Sequence, residues 1–452
     1  MITLPDHKNT KASDFTTSPV FLLTGKAGSG KTTLIRKMIE ADQLYGVLAA
    51  TTGIAAVNLG AGITTINSLL KFTTLENLKY LHARGKGILG ALKALRAKEY
   101  RWLIVDEVSM MSKDLLDILI TSLDQANKTP KTRPPLGLML VGDFAQLPPI
   151  NAAWVFESDH WKRFDGNILK LTESYRQSNA LFIEALNEIR MGSKPGGFKL
   201  RDAGCTFASK IDIDYEGCML FGTNAAANKF NADKLSKLDG DTTELTPSWW
   251  TTVISNNGEY VIPADNNEIS KPVYVKEGAL VMILANDTTR GFRYANGDMG
   301  YVVSCNEESV LVQLLRNREI VEIFPVKRKK MIDKDRYLEL SPTPSMEGPS
   351  VLDPDWGDVR EDTIRDDQLV AGEIRYFPLR LAWACTIHKT QGLTLDRIQI
   401  DMQSSMFRHT SGMAYVALSR AREAEGVRII GSPLQVYNCI SIDEKVKLSD
   451  LL

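Results

Sequence analysis

The chain has 452 residues, 44% of them apolar and 24% charged, and its 54 Lys and Arg against 55 Asp and Glu leave a net charge of −1. This is material for about two to four packed domains, and it excludes the strongly basic surface of a protein that coats nucleic acid, so only a local basic groove stays open. No apolar run approaches the ~18 residues of a membrane span, the N-terminal stretch Met1 to Thr17 is polar with Asp6 and Asp14, and the five cysteines and five histidines are scattered without a C-x-x-C. A cytoplasmic location, no membrane partner, no disulfide framework and no zinc site are therefore expected.

In chain order, the first informative stretch is "FLLTGKAGSGKTTLIRK", Phe21 to Lys37. Gly25, Gly30, Lys31 and Thr32 fit G-x-x-x-x-G-K-[ST], with an apolar strand pattern before them (Val20 to Leu23) and a helical pattern after (Leu34, Ile35, Met38, Ile39). By chance the pattern should occur in on the order of 1–2% of chains this long, so the signal is specific. Gly25, Gly28 and Gly30 let the backbone wrap a phosphate, Lys31 reaches the β and γ phosphates, and Thr32, followed by Thr33, opens the helix and offers its hydroxyl to magnesium. The cofactors expected are ATP and Mg2+.

A second strand, in "YGVLAA", leads into "TTGIAA", which places Thr51 and Thr52, and later Thr64 and Thr65, where hydroxyl and backbone groups can meet phosphates. Residues 64–100 are basic and helical in period, with Phe72, Tyr80 and His82 as ring systems. In "RWLIVDEVSMM" the buried-type strand Trp102 to Val105 ends on Asp106 and Glu107, at the carboxyl end where open parallel sheets put ligands. Asp106 is expected to hold magnesium, directly or through water, and Glu107 to orient and deprotonate the attacking water. "GLMLVGDFAQLPPI" repeats the strand-and-loop pattern, and Gln146 approaches the γ phosphate if this strand lies beside the one ending at Asp106. "LKLTESYRQ" and "YVALSRAR" then present Arg176 and Arg420 in exposed polar settings. Between them, residues 275–377 alternate in short apolar runs ("ALVMILAND", "GYVVSC", "VLVQLL", "EIFPV") with an "NGD" turn at Asn296 to Asp298, a small β-barrel pattern, and the Pro- and Asp-rich part between Lys327 and Asp367 reads as a long loop.

Six segments, "AATTGIAAVNLGAGITTINSL", "LIVDEVSMM", "VGDFAQLPPI", "LTESYRQ", "LAWACTIHKTQGLTLD" and "YVALSRAR", stand in the order and spacing of one group. From about Val20 to Arg422 the chain resembles the superfamily 1 (1B) DNA helicases of the Pif and RecD-like group, to which the phage helicase Dda is also related. The resemblance implies an α/β fold of two RecA-like phosphate-loop NTPase domains, parallel sheets flanked by helices, with a small wedge subdomain and an SH3-like β-barrel insertion. Its expected layout is residues 1–170 for the first domain, with the wedge-type insertion at about 64–100, 171–274 with 378–452 for the second, and 275–377 for the barrel. It implies ATP-driven 5′ to 3′ movement on single-stranded DNA and unwinding of forked or tailed duplex, by a monomer whose candidate protein partners are single-strand-binding or replisome proteins.

For individual residues, the resemblance makes Arg176 and Arg420 the two arginines that meet the γ phosphate. It adds Asn67, Thr223, Asn224, Thr386, His388 and Lys389 to the DNA contacts and sets Gln391 and Gly392 on the ATP side. Two departures stand out. No glutamine precedes Gln43, so the usual adenine-reading glutamine is missing and the base could be read by backbone near Phe15 to Pro19; and Asn67 stands where the group commonly has histidine. Two other readings stay open from the residues: a strand translocase that barely unwinds, and a nucleotide switch acting on a protein partner.

Overall fold

The structure is a computed structural model. It describes residues 18–449 and 451–452 except 53–54, 57–58, 60–62, 73, 86, 129–132, 252–268, 286, 288–292, 295–297 and 334–367. The described chain divides into two compact units, Met1–Lys234 with Trp383–Leu452, and Leu235–Ala382.

The first unit is built on two parallel sheets. In the first, the strands run in the order Thr64–Thr65, Gly46–Ala50, Trp102–Asp106, Gly137–Gly142, Val20–Gly25, Ile168–Leu171, every neighbouring pair parallel. The three central strands are buried along their whole length, as a sheet covered on both faces requires. Alternate residues of one strand accordingly enter different cores. Phe21, Leu23, Ile104, Met139 and Val141 pack with Ile35 and Met38 of the helix Lys31–Glu40. Leu22, Leu103, Val105, Leu138 and Leu140 pack on the opposite side with Leu115, Leu116, Leu119 and Leu123 of the helix Lys113–Asn127. Ser112 starts that helix by accepting the Leu115 N–H. The strand ending at Asp106 lies directly beside Gly137–Gly142, with Val105 opposite Leu140, which is the adjacency that brings Gln146 toward the acids.

The second parallel sheet has the order Ala384–Thr386, Cys218–Phe221, Ile398–Asp401, Val427–Ile430, Thr206–Ala208. Ile398, Ile400, Val427 and Ile429 pack with Phe182 and Leu186 of the helix Ala180–Arg190 and with Val416 of the helix Met413–Leu418. Met219 and Phe221 face Phe230 on the other side. These are the two RecA-like domains, each carrying its chemistry at the carboxyl ends of its strands.

The second unit is antiparallel. Its five-stranded sheet runs Ile320–Ile323, Val310–Leu314, Met299–Cys305, Leu280–Ile283, Leu379–Leu381, and the period-two burial of Val310, Val312 and Leu314 gives it one core face. Three of the four apolar runs read from the sequence each contain a strand here, and the fourth, "EIFPV", spans the end of Ile320–Ile323 and the start of the next strand at Val326. The long loop needs correction at its start: Val326–Asp333 is a strand, paired antiparallel with Gln368–Tyr376, which pairs in turn with Ser248–Thr251. A partner strand far along the chain outweighs the turn-rich composition that follows. Residues 334–367 of that loop, Asn296 and Gly297 of the expected turn, and residues 15–17 of the adenine-reading segment lie outside the described residues. Among the described residues no helix is long and apolar enough to cross a membrane.

Candidate active site

The strand Val20–Gly25 turns into its helix through three glycines in positive-φ backbone: Gly25 at 146°, Gly28 at 75° and Gly30 at 78°. A side chain at Gly25 would meet Leu171 O at 2.3 Å and one at Gly28 would meet Arg176 Cβ at 2.6 Å, so sterics as well as φ restrict both positions to glycine. Lys31 folds back over the loop, its Nζ donating to Gly25 O at 2.6 Å, Lys26 O at 3.0 Å and Ser29 Oγ at 3.4 Å. Burial lowers the pKa of this amine, against the opposing pull of Asp143, Glu107 and Asp106.

Facing the loop, Thr32 Oγ1 donates to Asp106 Oδ2 at 2.7 Å, a hydroxyl and a carboxylate side by side. Such hard oxygens suit Mg2+, which takes one or two protein ligands and completes its shell with phosphate and water. The donor set therefore fits the ion, and the loop fits a polyphosphate. Glu107 is held in left-handed backbone, φ 55° and ψ 44°, at a cost of about 1–3 kcal/mol for a residue with a side chain. Three bonds hold it there: its N–H donates to Asp106 Oδ1 at 2.8 Å, its carbonyl accepts from Thr51 Oγ1 at 2.9 Å, and its Oε2 accepts from Gln391 Nε2 at 3.1 Å. Burial raises the pKa of both carboxyls, and Asp106 adds to the rise at Glu107. Gln146 lines the same cleft with its Oε1 buried and without a hydrogen-bond partner, an acceptor aimed where a water or hydrated ion can donate.

Arg420 from the second sheet's domain and Arg176 from the segment after the first-sheet strand Ile168–Leu171 face Lys31 across the cleft, whose volume is about 380 Å³ and whose walls also include Glu107 and Gly392. Arg176 is half-buried and donates from Nη1 to Ser419 O at 2.8 Å. Arg420 corrects the expectation of an exposed setting: it is 1% exposed, donating from Nε to Val416 O at 2.8 Å and from Nη2 to Ser419 Oγ at 2.9 Å. Burial and then Arg176 pull its pKa down to about 9, still charged at neutral pH. The polar sequence around it misled because its neighbour Ser419 is itself buried, taking Arg420 Nη2 on its hydroxyl and Arg176 Nη1 on its carbonyl.

The residues expected to touch DNA fall on one edge of each sheet. Thr51 and Thr52 follow the strand Gly46–Ala50, and Thr64 and Thr65 form the adjacent edge strand. Thr223 and Asn224 follow Cys218–Phe221, and Thr386, His388 and Lys389 continue from the neighbouring edge strand Ala384–Thr386. Their hydroxyls serve locally: Thr52 accepts from Ala55 N–H, Thr65 caps the helix Ile66–Leu70 through Ser68 N–H, and Thr223 accepts from Ala226 N–H. Asn67 is half-buried on that helix. Burial lowers the pKa of His388, so its imidazole is neutral at pH 7.

The sequence reading passed over Tyr175, Asp143, Arg190 and Tyr415. Tyr175 lies across the mouth of the cleft, 74% exposed, its N–H bonded to Gly28 O at 2.8 Å. The signal was present in "SYRQ", "GDFAQ" and "YVALSR", where an aromatic or acid adjoins a residue already given a role; none showed in isolation.

Comparison with known proteins places these features in one family. Residues 6–206 match the AAA domain family. The chain is 30% identical over 420 residues to ATP-dependent DNA helicase Pif1 of Bdellovibrio bacteriovorus, covering 90% of this chain and 83% of that protein. It is 28% identical to human ATP-dependent DNA helicase PIF1, covering 92% of this chain but 59% of the longer human protein. The crystal structure of Pif1 helicase from Bacteroides in complex with ADP-AlF3 and ssDNA superposes with a TM-score of 0.67 at 26% identity, covering 97% of this chain and 93% of that one. The chain belongs to the Pif1 family of ATP-dependent DNA helicases.

Proposed function

We propose that the chain couples ATP hydrolysis in the cleft to 5′ to 3′ movement along single-stranded DNA and to opening of duplex ahead of it. The observation that carries this reading is the gathering around one cleft of Lys31, of Arg176 from the segment that follows the first-sheet strand Ile168–Leu171, and of Arg420 from the other parallel-sheet domain. Thr32 and Asp106 would hold Mg2+, which when bound would neutralise charge on the phosphates. Gln146 accepts from the attacking water, Glu107 takes its proton, and Arg176 and Arg420 spread the charge that develops on the transferred phosphoryl group. Gln391 bonds Glu107 from the loop that also carries Thr386, His388 and Lys389, so a strand lying on that loop acts on the base through a single side chain.

The two sheet edges meet the strand through its backbone, the sequence-tolerant contact a motor needs. The likeness to the Bacteroides protein solved with ADP-AlF3 and ssDNA, at near-complete mutual coverage, supports single-stranded DNA as the track. The deciding experiment measures ATP turnover with and without single-stranded DNA, in one series with forks bearing only a 5′ or only a 3′ tail. Strand-stimulated turnover with opening of the 5′-tailed fork alone is expected. Stimulated turnover with neither fork opened would leave a strand translocase; turnover indifferent to DNA would sink the motor reading in favour of a nucleotide switch.

A further inference from the structure

One buried polar cluster is not used by the chemistry above. Tyr415, 3% exposed on the helix Met413–Leu418, donates its hydroxyl proton to Asp143 Oδ2 at 3.0 Å and accepts the Ala27 N–H at 2.8 Å. A carboxylate cannot donate and an amide N–H cannot accept, so the direction of both bonds is fixed. Asp143, fully buried, also takes Arg190 Nη2 at 2.9 Å and Nε at 3.2 Å. Burial opposes its charge, yet Arg190 and then Lys31 hold its pKa below the ordinary value.

The four groups come from both domains. Ala27 lies in the phosphate loop and Asp143 three residues before Gln146, both on the first sheet; Tyr415 and Arg190 belong to helices packed on the second. An independent feature shows the same docking. Gly412, which opens the Tyr415 helix at φ 72°, approaches so closely that a side chain there would meet Ala145 O at 2.4 Å and Gln146 O at 2.8 Å. The short segment from Gly412 to Arg420 therefore touches the Gln146 loop, bonds the phosphate loop, and ends on the arginine that enters the cleft.

We infer that Tyr415 is a positioning residue, a latch whose hydroxyl joins the phosphate loop to the second domain through Asp143 and Arg190 and so sets how strongly a bound nucleotide alters the grip on DNA. The inference rests on the motor reading. Pulling the phosphate loop and the Gln146 loop onto one hydroxyl makes the closed arrangement discrete, and a ligand can shift a two-state element only by its preference for one state. Such coupling between two sites is typically about 5–150-fold in affinity.

The test is Tyr415→Phe in the full chain, which keeps the ring and its packing and removes only the hydroxyl. The measured quantity is the affinity for a fluorescein-labelled oligothymidylate with and without AMP-PNP, read as the ratio of the two dissociation constants. That ratio is insensitive to a fraction of inactive protein, which a merely structural defect would produce. In the wild type a nucleotide-linked change of about fivefold or more is expected; in Tyr415→Phe it falls toward one, while nucleotide-free affinity stays within about twofold because no contact proposed for DNA is touched. A wild-type-like ratio in Tyr415→Phe overturns the latch alone. A wild-type ratio near one overturns the motor reading and the latch together. If Tyr415→Phe does not fold, Arg190→Lys, which keeps the charge opposite Asp143 but loses the paired donors, is put through the same measurement: a reduced ratio supports the latch and an unchanged one overturns it.

Discussion

The nucleotide cleft and the edge assigned to DNA sit on the same two sheets, yet they differ in kind. In the cleft Lys31, Asp106, Gln391 and Arg420 are buried and Glu107 half-buried, and each has a shifted pKa, fixed hydrogen bonds or both. On the edge, Thr52, Thr65 and Thr223 are half-exposed and bonded within their own turns, and Thr51 reaches another strand end, at Glu107 O. Phosphoryl transfer needs donors held in place before the charge appears, because reorganising them during the reaction would consume the stabilisation they give. A track contact must form and break at every position of the strand, which half-exposed hydroxyls on short turns can do without rearranging the fold.

The sharpest way to break that contrast is through the two arginines. Arg176→Ala and Arg420→Ala are each expected to cut strand-stimulated turnover by about 10³–10⁵-fold, the effect of removing such a guanidinium from a phosphate-loop enzyme. They should part company in stability. From a fully buried position Arg420 donates to Val416 O, Ser419 Oγ, Thr390 O and Leu393 O, so its loss removes four bonds, two of them to the Thr390–Leu393 turn, and lowers the thermal midpoint. Arg176 is half-buried and contributes one such bond. Equal losses of turnover with a lower midpoint in Arg420→Ala alone would sharpen the comparison; a midpoint unchanged in both would show that the burial of Arg420 is not structural.

Asp143→Asn is the next largest. It leaves the Arg190 guanidinium buried and uncompensated, a loss of about 3–5 kcal/mol in comparable buried pairs. The pH sign follows from the depressed aspartate: with a folded pKa below its ordinary value of 3.8, the pair stabilises fully above that value and its contribution is lost as pH falls through the folded pKa. Chemical denaturation of the two proteins should therefore show a constant gap from neutral pH to about pH 5, narrowing only below 3.8. A gap that shrinks already between pH 7 and 5 would show that Asp143 is not held ionised by Arg190.

How much of this was legible in the sequence follows the same division. The phosphate loop, the acids at Asp106 and Glu107, and the strands around them could be read because each is a local pattern: glycines at fixed spacing, an apolar run ending in charge. The reading of Gln146 depended on a strand neighbour, which the parallel pairing of Trp102–Asp106 with Gly137–Gly142 supplies. The burial of Arg420 and the joining of Ala27, Asp143, Arg190 and Tyr415 could not be read, since the partners are separated by up to 388 residues and nothing local marks a tyrosine as the hub. The strand Val326–Asp333 was lost for the same reason, its partner lying at Gln368–Tyr376.

The smallest expected effect tests whether the edge is electrostatic at all. His388 and Lys389 are adjacent and both half-buried, and burial lowers the pKa of His388, which keeps its imidazole neutral at pH 7. If Lys389 meets a phosphate, Lys389→Gln should weaken binding of any single strand alike and reduce the slope of log affinity against log salt by about one. His388→Gln removes no charge and should leave that slope alone, whatever it does to affinity. Measured side by side on one oligonucleotide over a salt series, a flattened slope in Lys389→Gln alone assigns the contact to charge. An equal change in both variants would mean that His388 is charged at the edge and that burial does not control it. No change in either would move the strand off the Ala384–Thr386 edge, because a neutral chain with few basic residues to spare has to place its phosphate contacts where the topology brings two loops together, and that edge would then not be the place.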